Sequence, residues 1–362
     1  APQRRLYGFH HMVLDESGRR DPGFYSDYHR YFDRNKEGAY GYRDHSIDWN
    51  SWMGRPSHLP EHLHPTYWTA SQGIDFIERR DPTKPFFLWL SFARPHSPYD
   101  PPQTYWDMYN DHPDIPEPYI GQWAAEFDRP VASTNAPRTR RSARETRRGR
   151  AGYYGNITFI DHQIGRLLYE FNRLDPQALR DTLVVFTSDH GDMMGAHRMR
   201  LKGTLPYEEL YRIPCMLKLP RGTRVARAVV DDLVSSVQAP ATLLKAAHID
   251  VPTQFHNGDF YDAPFQAEAP EGEHIFFEHY AAYWGLHPFY AIRDRRFKYV
   301  RYYGDDACEE MYDLENDPRE LHNIAAHPRH EDQRSALAQR ADAWWRETGG
   351  RRRVCDARGH GV

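Results

Sequence analysis

The first 250 residues alternate between two patterns, apolar positions at helical spacing and short continuous apolar runs. Helical spacing marks the core-facing stripe of an amphipathic helix, whereas a short apolar run bounded by turn residues is typical of a buried strand. The predicted elements are helices over residues 66–80, 153–171 and 233–248 and strands over residues 86–92, 182–187 and 213–219. Helix and strand therefore alternate as in an α/β sheet, and the strand over 86–92 is expected to be central and buried on both faces.

The pattern changes beyond about residue 267, where short, partly alternating apolar stretches follow one another between turn residues. Such stretches indicate antiparallel strands. The predicted elements are strands over residues 275–278, 289–292 and 298–302 and a closing helix over residues 331–347. The chain is therefore expected to divide into an α/β domain, residues 1–267, and a small α+β subdomain, residues 268–362.

Composition and charge exclude several classes of protein. The 362 residues carry 47 Lys and Arg against 51 Asp and Glu, a formal net charge of −4, which argues against a nucleic-acid-binding chain. No apolar stretch approaches the roughly 20 residues that a membrane helix requires, so a soluble globular chain without a membrane span is expected. Three widely spaced cysteines form neither a disulfide framework nor a metal knuckle, and they indicate no compartment.

An arginine-rich segment covers residues 138–150 and contains a single glutamate. A solvated loop leading into the following helix is the usual interpretation of such a charge run, and contact with a polyanion is the alternative. The segment is predicted to be a loop.

The most informative segment follows the second long apolar run, at residues 187–197, which read TSDHGDMMGAH. Asp189 and His190 stand where the chain leaves the strand, at the edge where α/β sheets bind ligands. Because a glycine follows, the carboxylate and the imidazole are both able to turn toward one cation. The alternative is a turn in which Asp189 caps backbone N–H groups and His190 is merely polar.

Two further polar residues lie on loops near predicted strands. Lys202 follows His190 by twelve residues on a loop with a neighbouring glycine, and a lysine beside a metal site can bind an oxyanion as a point charge. His96 comes directly after the first predicted strand, between two prolines that are expected to present it from a stiff, extended tip. Taken singly, a lysine is usually solvated and a histidine is usually a hydrogen-bonded polar residue. Together, a metal site, a cation and a proton donor are the parts needed to hydrolyse an anionic ester.

Several spaced blocks in this order resemble the sulfatase family of the alkaline-phosphatase-like superfamily. The blocks are residues 91–98 (SFARPHSP), residues 153–167, residues 188–195 (SDHGDMMG) with the following Lys202, and residues 293–299 and 311–320. The resemblance implies an alkaline-phosphatase-like α/β fold with a mixed, mostly parallel sheet flanked by helices and a small antiparallel C-terminal subdomain. It also implies metal-dependent hydrolysis of a small anionic ester, in the first place a sulfate ester.

The resemblance assigns roles to individual residues. Asp189 and His190 would ligate a divalent cation, and His96 and Lys202 would contact the sulfuryl or leaving-group oxygens. The candidate substrate contacts are His197 and Arg94. Many sulfatases have Asp-Asn where this chain has Asp-His. The Asp-His pair looks more like that of the branch that includes phosphonate monoester and phosphodiester hydrolases and some sulfatases. The cation is expected to be Ca²⁺, with Mn²⁺ as the alternative that an imidazole ligand admits.

One part of the family's pattern is not found in this chain. The family begins with a strand ending in paired aspartates, then places a Cys or Ser nucleophile in a C/S-x-P-x-R block, oxidised to formylglycine in sulfatases, and later a K-x-H block. These blocks precede every block matched here, so a segment that carries them is expected upstream of Ala1. The hypotheses are a sulfatase, a phosphonate monoester or phosphodiester hydrolase, and a non-catalytic polyanion-binding homologue.

Overall fold

The computed structural model describes most of the chain, which divides into two compact units. The described residues are 6–15, 25–44, 47, 50–127, 140–200, 202, 206–255, 258–268, 274–279, 288–303 and 308–350. The first unit comprises Ala1–Glu117, Pro130–Ala136 and Arg140–Arg180, and the second comprises Pro118–Arg129, Pro137–Thr139 and Asp181–Val362. The domain boundary predicted at residue 267 lies inside the second unit and stays a prediction.

Helices are the regular elements of the first unit. They are α1 (Asp27–Asn35), α2 (Pro65–Arg79), α3 (Gln103–Asp107) and α4 (Ala143–Leu174), and α5 (Pro176–Asp181) follows directly. The helix predicted over residues 66–80 is confirmed as α2. It begins where the His64 side chain accepts a hydrogen bond from the Thr66 N–H and a proline occupies the first turn, a position that needs no N–H donor.

The long helix α4 begins at Ala143, ahead of the apolar pattern that starts at residue 153. Ser142 and Glu145 form a capping box at its start. The Glu145 N–H donates to Ser142 Oγ (3.3 Å), and the Ser142 N–H donates to the Glu145 carboxylate (2.8 Å). The prediction of a loop over residues 138–150 is therefore wrong from Ala143 onward, and Arg138 lies outside the described residues.

Several arginines of this segment contact the protein itself. Arg141 lies over the ring of Trp52, 4.5 Å from its centroid, and Arg148 lies 5.0 Å from the centroid of Trp106. Arg150 donates a hydrogen bond of 2.6 Å to a backbone carbonyl. A planar guanidinium suits both kinds of contact. These contacts favour a structural role for the arginines over contact with a polyanion.

One face of α4 carries glycine at every third position. The glycines are Gly149, Gly152 and Gly155. Cβ atoms at these positions would lie 2.5 to 2.9 Å from atoms of the facing segments, closer than real Cβ atoms come. The facing residues are Trp52, Tyr99 and Pro101. The lack of side chains therefore lets Trp52 and the segment that follows His96 lie directly against the helix backbone.

The first predicted strand, residues 86–92, pairs with no other strand in the part of the chain that the structure describes. Phe87 and Trp89 are 58% and 71% exposed. The ring of Phe86 packs instead against Phe76 of α2 and Phe171 of α4, at centroid distances of 5.7 and 6.0 Å. The prediction that this segment is buried on both faces is therefore wrong, because the two helices cover one face only.

The described part of the second unit contains two antiparallel sheets. Its strands are β1 (Val184–Thr187), β2 (Cys215–Lys218), β3 (Ile275–His279), β4 (Phe289–Arg293), β5 (Phe297–Tyr302) and β6 (Glu309–Asp313), and its helices are α6 (Glu208–Tyr211), α7 (Ala239–Ala246) and α8 (Glu331–Glu347). Helix α7 is shorter than the helix predicted over residues 233–248, because a proline in its first turn marks its start. None of the helices described is long and apolar enough to cross a membrane.

The strands predicted over residues 182–187 and 213–219 are confirmed as β1 and β2, but they pair antiparallel. Among the described strands β1 has no other partner, and Phe186 and Met216 are exposed opposite each other. Neither the mostly parallel pairing nor the full burial of β1 is therefore seen in the described residues. A parallel pair needs a crossover connection, usually an α-helix. The described part of this connection contains a three-residue 3-10 helix, Ala196–Arg198, and the four-residue α6, neither of which spans a sheet.

The four C-terminal strands form an antiparallel meander in chain order, and α8 packs against it. Leu337, Ala341 and Trp345 lie four residues apart on α8 and are buried against the sheet. The strand residues in this core are Tyr290, Ile292, Tyr299 and Met311. The predicted antiparallel subdomain and its closing helix are therefore confirmed.

Candidate metal and anion site

Asp189 and His190 lie on the loop that leaves β1, and the structure brings their side chains together. Asp189 Oδ2 lies 3.4 Å from His190 Nε2. The Asp189 side chain is 83% exposed, and the His190 side chain is one third exposed. The other carboxylate oxygen, Oδ1, accepts a hydrogen bond from the His190 N–H (2.9 Å). One oxygen of Asp189 therefore caps a backbone N–H group, as the alternative interpretation expected, while the other faces the imidazole.

The backbone also determines which nitrogen of His190 carries the proton. His190 Nδ1 lies 2.7 Å from the carbonyl oxygen of Gly191. Because a carbonyl oxygen only accepts, Nδ1 must donate, and the neutral ring then has its lone pair on Nε2. Histidines that ligate metals are commonly oriented in this way, with the second nitrogen donating to a carbonyl or carboxylate. Nε2 and Asp189 Oδ2 are therefore both available as ligands.

The pair fits two ligands of one divalent cation. Metal–ligand bonds are roughly 2.0–2.6 Å long, so two ligand atoms 3.4 Å apart can reach the same ion. Within the described ranges no group of three or more His, Cys, Asp or Glu side chains is placed to hold a metal. Metal ligation by Asp189 and His190 stays a prediction.

His96 lies in a turn of the first unit rather than at the extended tip predicted from its prolines. The Arg94–Pro95 and Ser97–Pro98 peptide bonds are both cis. His96 Nδ1 lies 2.8 Å from the carbonyl oxygen of Ser97 and donates to it. His96 and His190 therefore have the same protonation pattern, with Nε2 as the nitrogen directed away from the backbone contact.

Arg94, a predicted substrate contact, is buried and bound to a carboxylate of its own loop. Its Nε donates to Asp100 Oδ1 (2.7 Å) and its Nη2 to Asp100 Oδ2 (3.1 Å). A two-point contact of this kind fixes both partners. Arg94 thereby braces the turn that carries His96, and its contact with substrate stays a prediction.

His197, the other predicted substrate contact, is fully buried. Its Nδ1 accepts a hydrogen bond from the Gly121 N–H (3.0 Å), and its ring stacks on Trp123 at a centroid distance of 4.8 Å. Burial lowers the pKa of His197 to about 4, and the nearby charge of Lys298 lowers it further while Asp317 opposes the shift. These contacts give His197 a structural role, and its contact with substrate stays a prediction.

Lys202 is half-buried in the second unit. Its neighbours Leu201 and residues 203–205 lie outside the described residues. His96 belongs to the first unit, whereas Asp189, His190 and Lys202 belong to the second. The joint action of His96 and Lys202 on one substrate stays a prediction.

Sequence reasoning missed a group of buried charges beside this loop. Lys298 on β5 and Glu320 are both fully buried and form an ion pair. Burial raises the pKa of Glu320 to about 7, although Lys298 acts in the opposite direction. The sequence feature that could have indicated this buried pair is a lysine within the aromatic strand at residues 297–302. A lysine in a strand usually lies on the solvent-exposed face, so the feature points the other way.

Comparison with known families identifies the chain. Residues 19–249 match the sulfatase family, and residues 195–346 match the family described as N-sulphoglucosamine sulphohydrolase, C-terminal. The first match alone covers more than half of the chain. The chain therefore belongs to the sulfatase family, as its motifs indicated.

Curated relatives agree with this assignment. The chain is 36% identical over 338 residues to an arylsulfatase of Clostridium perfringens, covering 89% of this chain and 69% of the relative. It is 30% identical over 250 residues to a choline-sulfatase of Rhizobium meliloti, covering 68% of this chain and 47% of that protein. The chain thus spans about half to two thirds of the length of these relatives.

Solved structures confirm the mixed α/β fold. A phosphonate monoester hydrolase from Silicibacter pomeroyi matches with a TM-score of 0.71 at 20% identity, covering 88% of this chain and 68% of that one. The protein BT4656, solved in complex with its substrate D-glucosamine-2-N,6-O-disulfate, matches with a TM-score of 0.67 at 21% identity, covering 78% and 70%. Both similarities support the fold that the resemblance implied.

Proposed function

We propose that the protein containing this chain hydrolyses sulfate esters in a metal-dependent reaction. The observation that carries the proposal is the Asp189–His190 pair, which offers two converging ligand atoms at a strand end of a sulfatase-family chain. Hydrolysis requires that a nucleophile form a bond to sulfur while the bond from sulfur to the leaving oxygen breaks. The family's attacking group is formylglycine, and no residue of this chain is assigned to that role.

Asp189 and His190 would hold the cation, which supplies positive charge to the sulfuryl oxygens. Lys202 would add a second positive charge from the loop that follows. Charge placed where a negative charge develops is worth several kcal/mol in a site that excludes water. Ca²⁺ prefers oxygen ligands, whereas the imidazole of His190 also suits Mn²⁺, so both ions are candidates.

His96 would act at the leaving oxygen, and its backbone contact determines how. Because Nδ1 already donates to the Ser97 carbonyl, the proton given to the leaving group must come from Nε2. His96 must therefore be an imidazolium when the bond to sulfur breaks, and it returns to the neutral ring after the transfer. The product alcohol or phenol takes up that proton.

The substrate class is a small anionic ester. The arylsulfatase relative favours a sulfate ester, and a sulfated sugar is the substrate of one structural neighbour. A phosphonate monoester or phosphodiester is the second candidate, because the Asp-His pair resembles that branch and a phosphonate monoester hydrolase shares the fold.

The roles can be tested in the intact protein with an aryl sulfate. His96→Ala and Lys202→Ala should each lower turnover by at least about two orders of magnitude. The controls are His112→Ala and Lys84→Ala, which change an exposed histidine and an exposed lysine. Both controls should leave turnover within about two-fold of wild type. Near wild-type turnover in either site variant would overturn the assignment. Faster turnover of an aryl phosphonate by the same preparation would favour the second candidate.

A further inference from the structure

Lys298 connects the C-terminal sheet to the segment that follows the Lys202 loop. Its Nζ donates to the carbonyl oxygen of Pro206 (2.6 Å) and lies 3.5 Å from Glu208 Oε1. It also pairs with the buried carboxylate of Glu320. A fully buried ammonium is costly unless acceptors surround it, so these contacts make the position of residues 206–208 depend on Lys298.

Glu320 and Arg293 hold the same segment from two further directions. The Glu208 N–H donates to Glu320 Oε2 (2.8 Å), at the start of α6. The Glu208 carboxylate accepts from Arg293 Nη2 (3.3 Å), on β4. Glu320 itself has a backbone φ of 55°, a left-handed conformation that only a well-packed surrounding maintains in a glutamate. The start of α6 is therefore tied to three charged residues of the C-terminal subdomain.

Helix α6 in turn contacts the loop of the candidate metal ligands. The Gly191 N–H donates to the carbonyl oxygen of Leu210 (2.9 Å). A Cβ atom at Gly191 would overlap the carbonyl oxygen of Glu209, so the two backbones touch without room for a side chain. The Gly191 carbonyl is the acceptor that orients the His190 ring. A shift of α6 would therefore move the ring whose Nε2 lies beside Asp189.

We propose that Lys298 is a positioning residue, which holds α6 and through it keeps the Asp189–His190 loop in its productive arrangement. The sulfatase role of this arrangement rests on the function proposed above. The dependence of the loop on Lys298 follows from the contacts of Lys298, Glu208 and Gly191, whatever reaction the site performs. The C-terminal sheet and Glu320 thus act on the loop through contacts with residues 206–208 at the start of α6.

Arg301 provides a matched control on the same strand. It is bound to Glu309 (2.7 Å) and to Asp342 of α8 (2.6 Å), so its loss also breaks a charge network of the C-terminal subdomain. None of its described ion pairs reaches residues 206–211. Arg301→Met should therefore destabilise the subdomain without moving α6.

Hydrogen exchange of the metal-free protein tests the placement directly. In Lys298→Met, amides of residues 189–194 should exchange at least about ten-fold faster than in wild type, because the Gly191 bond to Leu210 opens more often. In Arg301→Met they should exchange within about two-fold of wild type. The proposal would be overturned if the amides of residues 189–194 exchanged at the same rate in Lys298→Met as in wild type. It would also be overturned if Lys298→Met and Arg301→Met increased their exchange rates equally.

Turnover and metal affinity test the consequence for the site. In Lys298→Met, kcat for an aryl sulfate and the affinity for Mn²⁺ should each fall about ten-fold or more, with KM within about three-fold of wild type, because the loop and not the substrate contact is lost. Wild-type kcat and Mn²⁺ affinity in this variant would overturn the proposal.

A second variant keeps the test decisive if Lys298→Met does not fold. The double variant Lys298→Met with Glu320→Gln removes the unpaired buried carboxylate and should show the same faster exchange. Wild-type exchange in this double variant would overturn the proposal. Absence of sulfatase activity in the wild type, with faster exchange in the variants, would overturn the proposed function and support the positioning role of Lys298.

Discussion

Backbone hydrogen bonds set the protonation of three histidines in two opposite ways. His96 and His190 each donate Nδ1–H to the carbonyl of the next residue, so the neutral form of each ring has its lone pair on Nε2. His197 instead accepts the Gly121 N–H at Nδ1, and its ring proton is on Nε2. The first pattern suits a metal ligand, or an acid once Nε2 is also protonated, and the second holds a neutral ring inside the core.

His197 predicts a dependence of folding stability on pH. Burial lowers the pKa of His197 from the ordinary 6.5 to about 4 in the folded protein. Between pH 6.5 and pH 4 this histidine is therefore protonated in the unfolded chain and neutral in the folded chain. The free energy of unfolding is therefore unaffected by this histidine above about pH 6.5, and it decreases as the pH falls from 6.5 toward 4. Unfolding free energy measured with urea should fall by about 2 kcal/mol between pH 7.5 and pH 5 from this residue.

His197→Asn is the variant that isolates this effect. Asparagine keeps an acceptor for the Gly121 N–H, and it tolerates the backbone φ of 51° at this position. The variant should be less stable at pH 7.5 because packing against Trp123 is reduced, but its loss between pH 7.5 and 5 should be smaller than in wild type. An unchanged loss over that range would show that another group titrates.

The position of a residue in the fold could be predicted from sequence where its immediate neighbours in the chain decide it. Asp189 and His190 follow an apolar run directly, so their place at a strand end was readable. The burial of His197 and Lys298 was not readable, because it depends on residues about 76 and 92 positions away in the chain, Gly121 and Pro206. Polar residues that contact distant backbone groups look like surface residues until the chain is folded.

Helix α4 shows the same limit at the scale of an element. The apolar positions over residues 153–171 predicted its middle correctly, while the arginines before them obscured its start. The Ser142–Glu145 spacing is a capping-box signal that the sequence does contain. The cation–π contacts that anchor the first turns involve Trp52 and Trp106, which no local pattern connects to the helix.

The capping box predicts a modest cost for its removal. Ser142→Ala removes the side-chain acceptor for the Glu145 N–H and should lower the unfolding free energy by about 1 kcal/mol. Arg144→Ala, an exposed change in the same turn, should alter it by less than about 0.5 kcal/mol. Urea unfolding of the three proteins measures both values. An equal effect of the two substitutions would mean that the cap contributes nothing specific.

For the whole molecule, the fold class was accessible from the sequence and the strand pairing was not. Alternating helical and strand patterns before residue 267, and short strands after it, predicted a mixed α/β chain with an antiparallel C-terminal sheet, which the structure and its neighbours confirm. Whether β1 pairs parallel or antiparallel depends on the path of the chain between β1 and β2. Long-range contacts determine this path, and the apolar run of β1 contains no information on it.

Metal binding should appear in the stability of the whole molecule. A cation held by Asp189 and His190 binds the folded chain, so at about 100 times its dissociation constant it should add roughly 2.7 kcal/mol of unfolding free energy. The melting temperature of chelator-treated protein should therefore rise when Ca²⁺ or Mn²⁺ is added, and Asp189→Asn should abolish the rise. Asp250→Asn, an exposed change, should retain it. A rise that persists in Asp189→Asn would place the cation elsewhere.

The glycine stripe of α4 bears on any attempt to engineer this protein for heat resistance. Replacing a glycine in a helix with alanine is a common route to a more stable protein, worth up to about 1 kcal/mol where the site is open. Gly165, which has open space around it, is a suitable position for that change. At Gly152 and Gly155 the same methyl group would collide with Tyr99 and Pro101 and force α4 away from the segment that follows His96. A substitution chosen to strengthen the helix would there disturb the turn that presents the histidine.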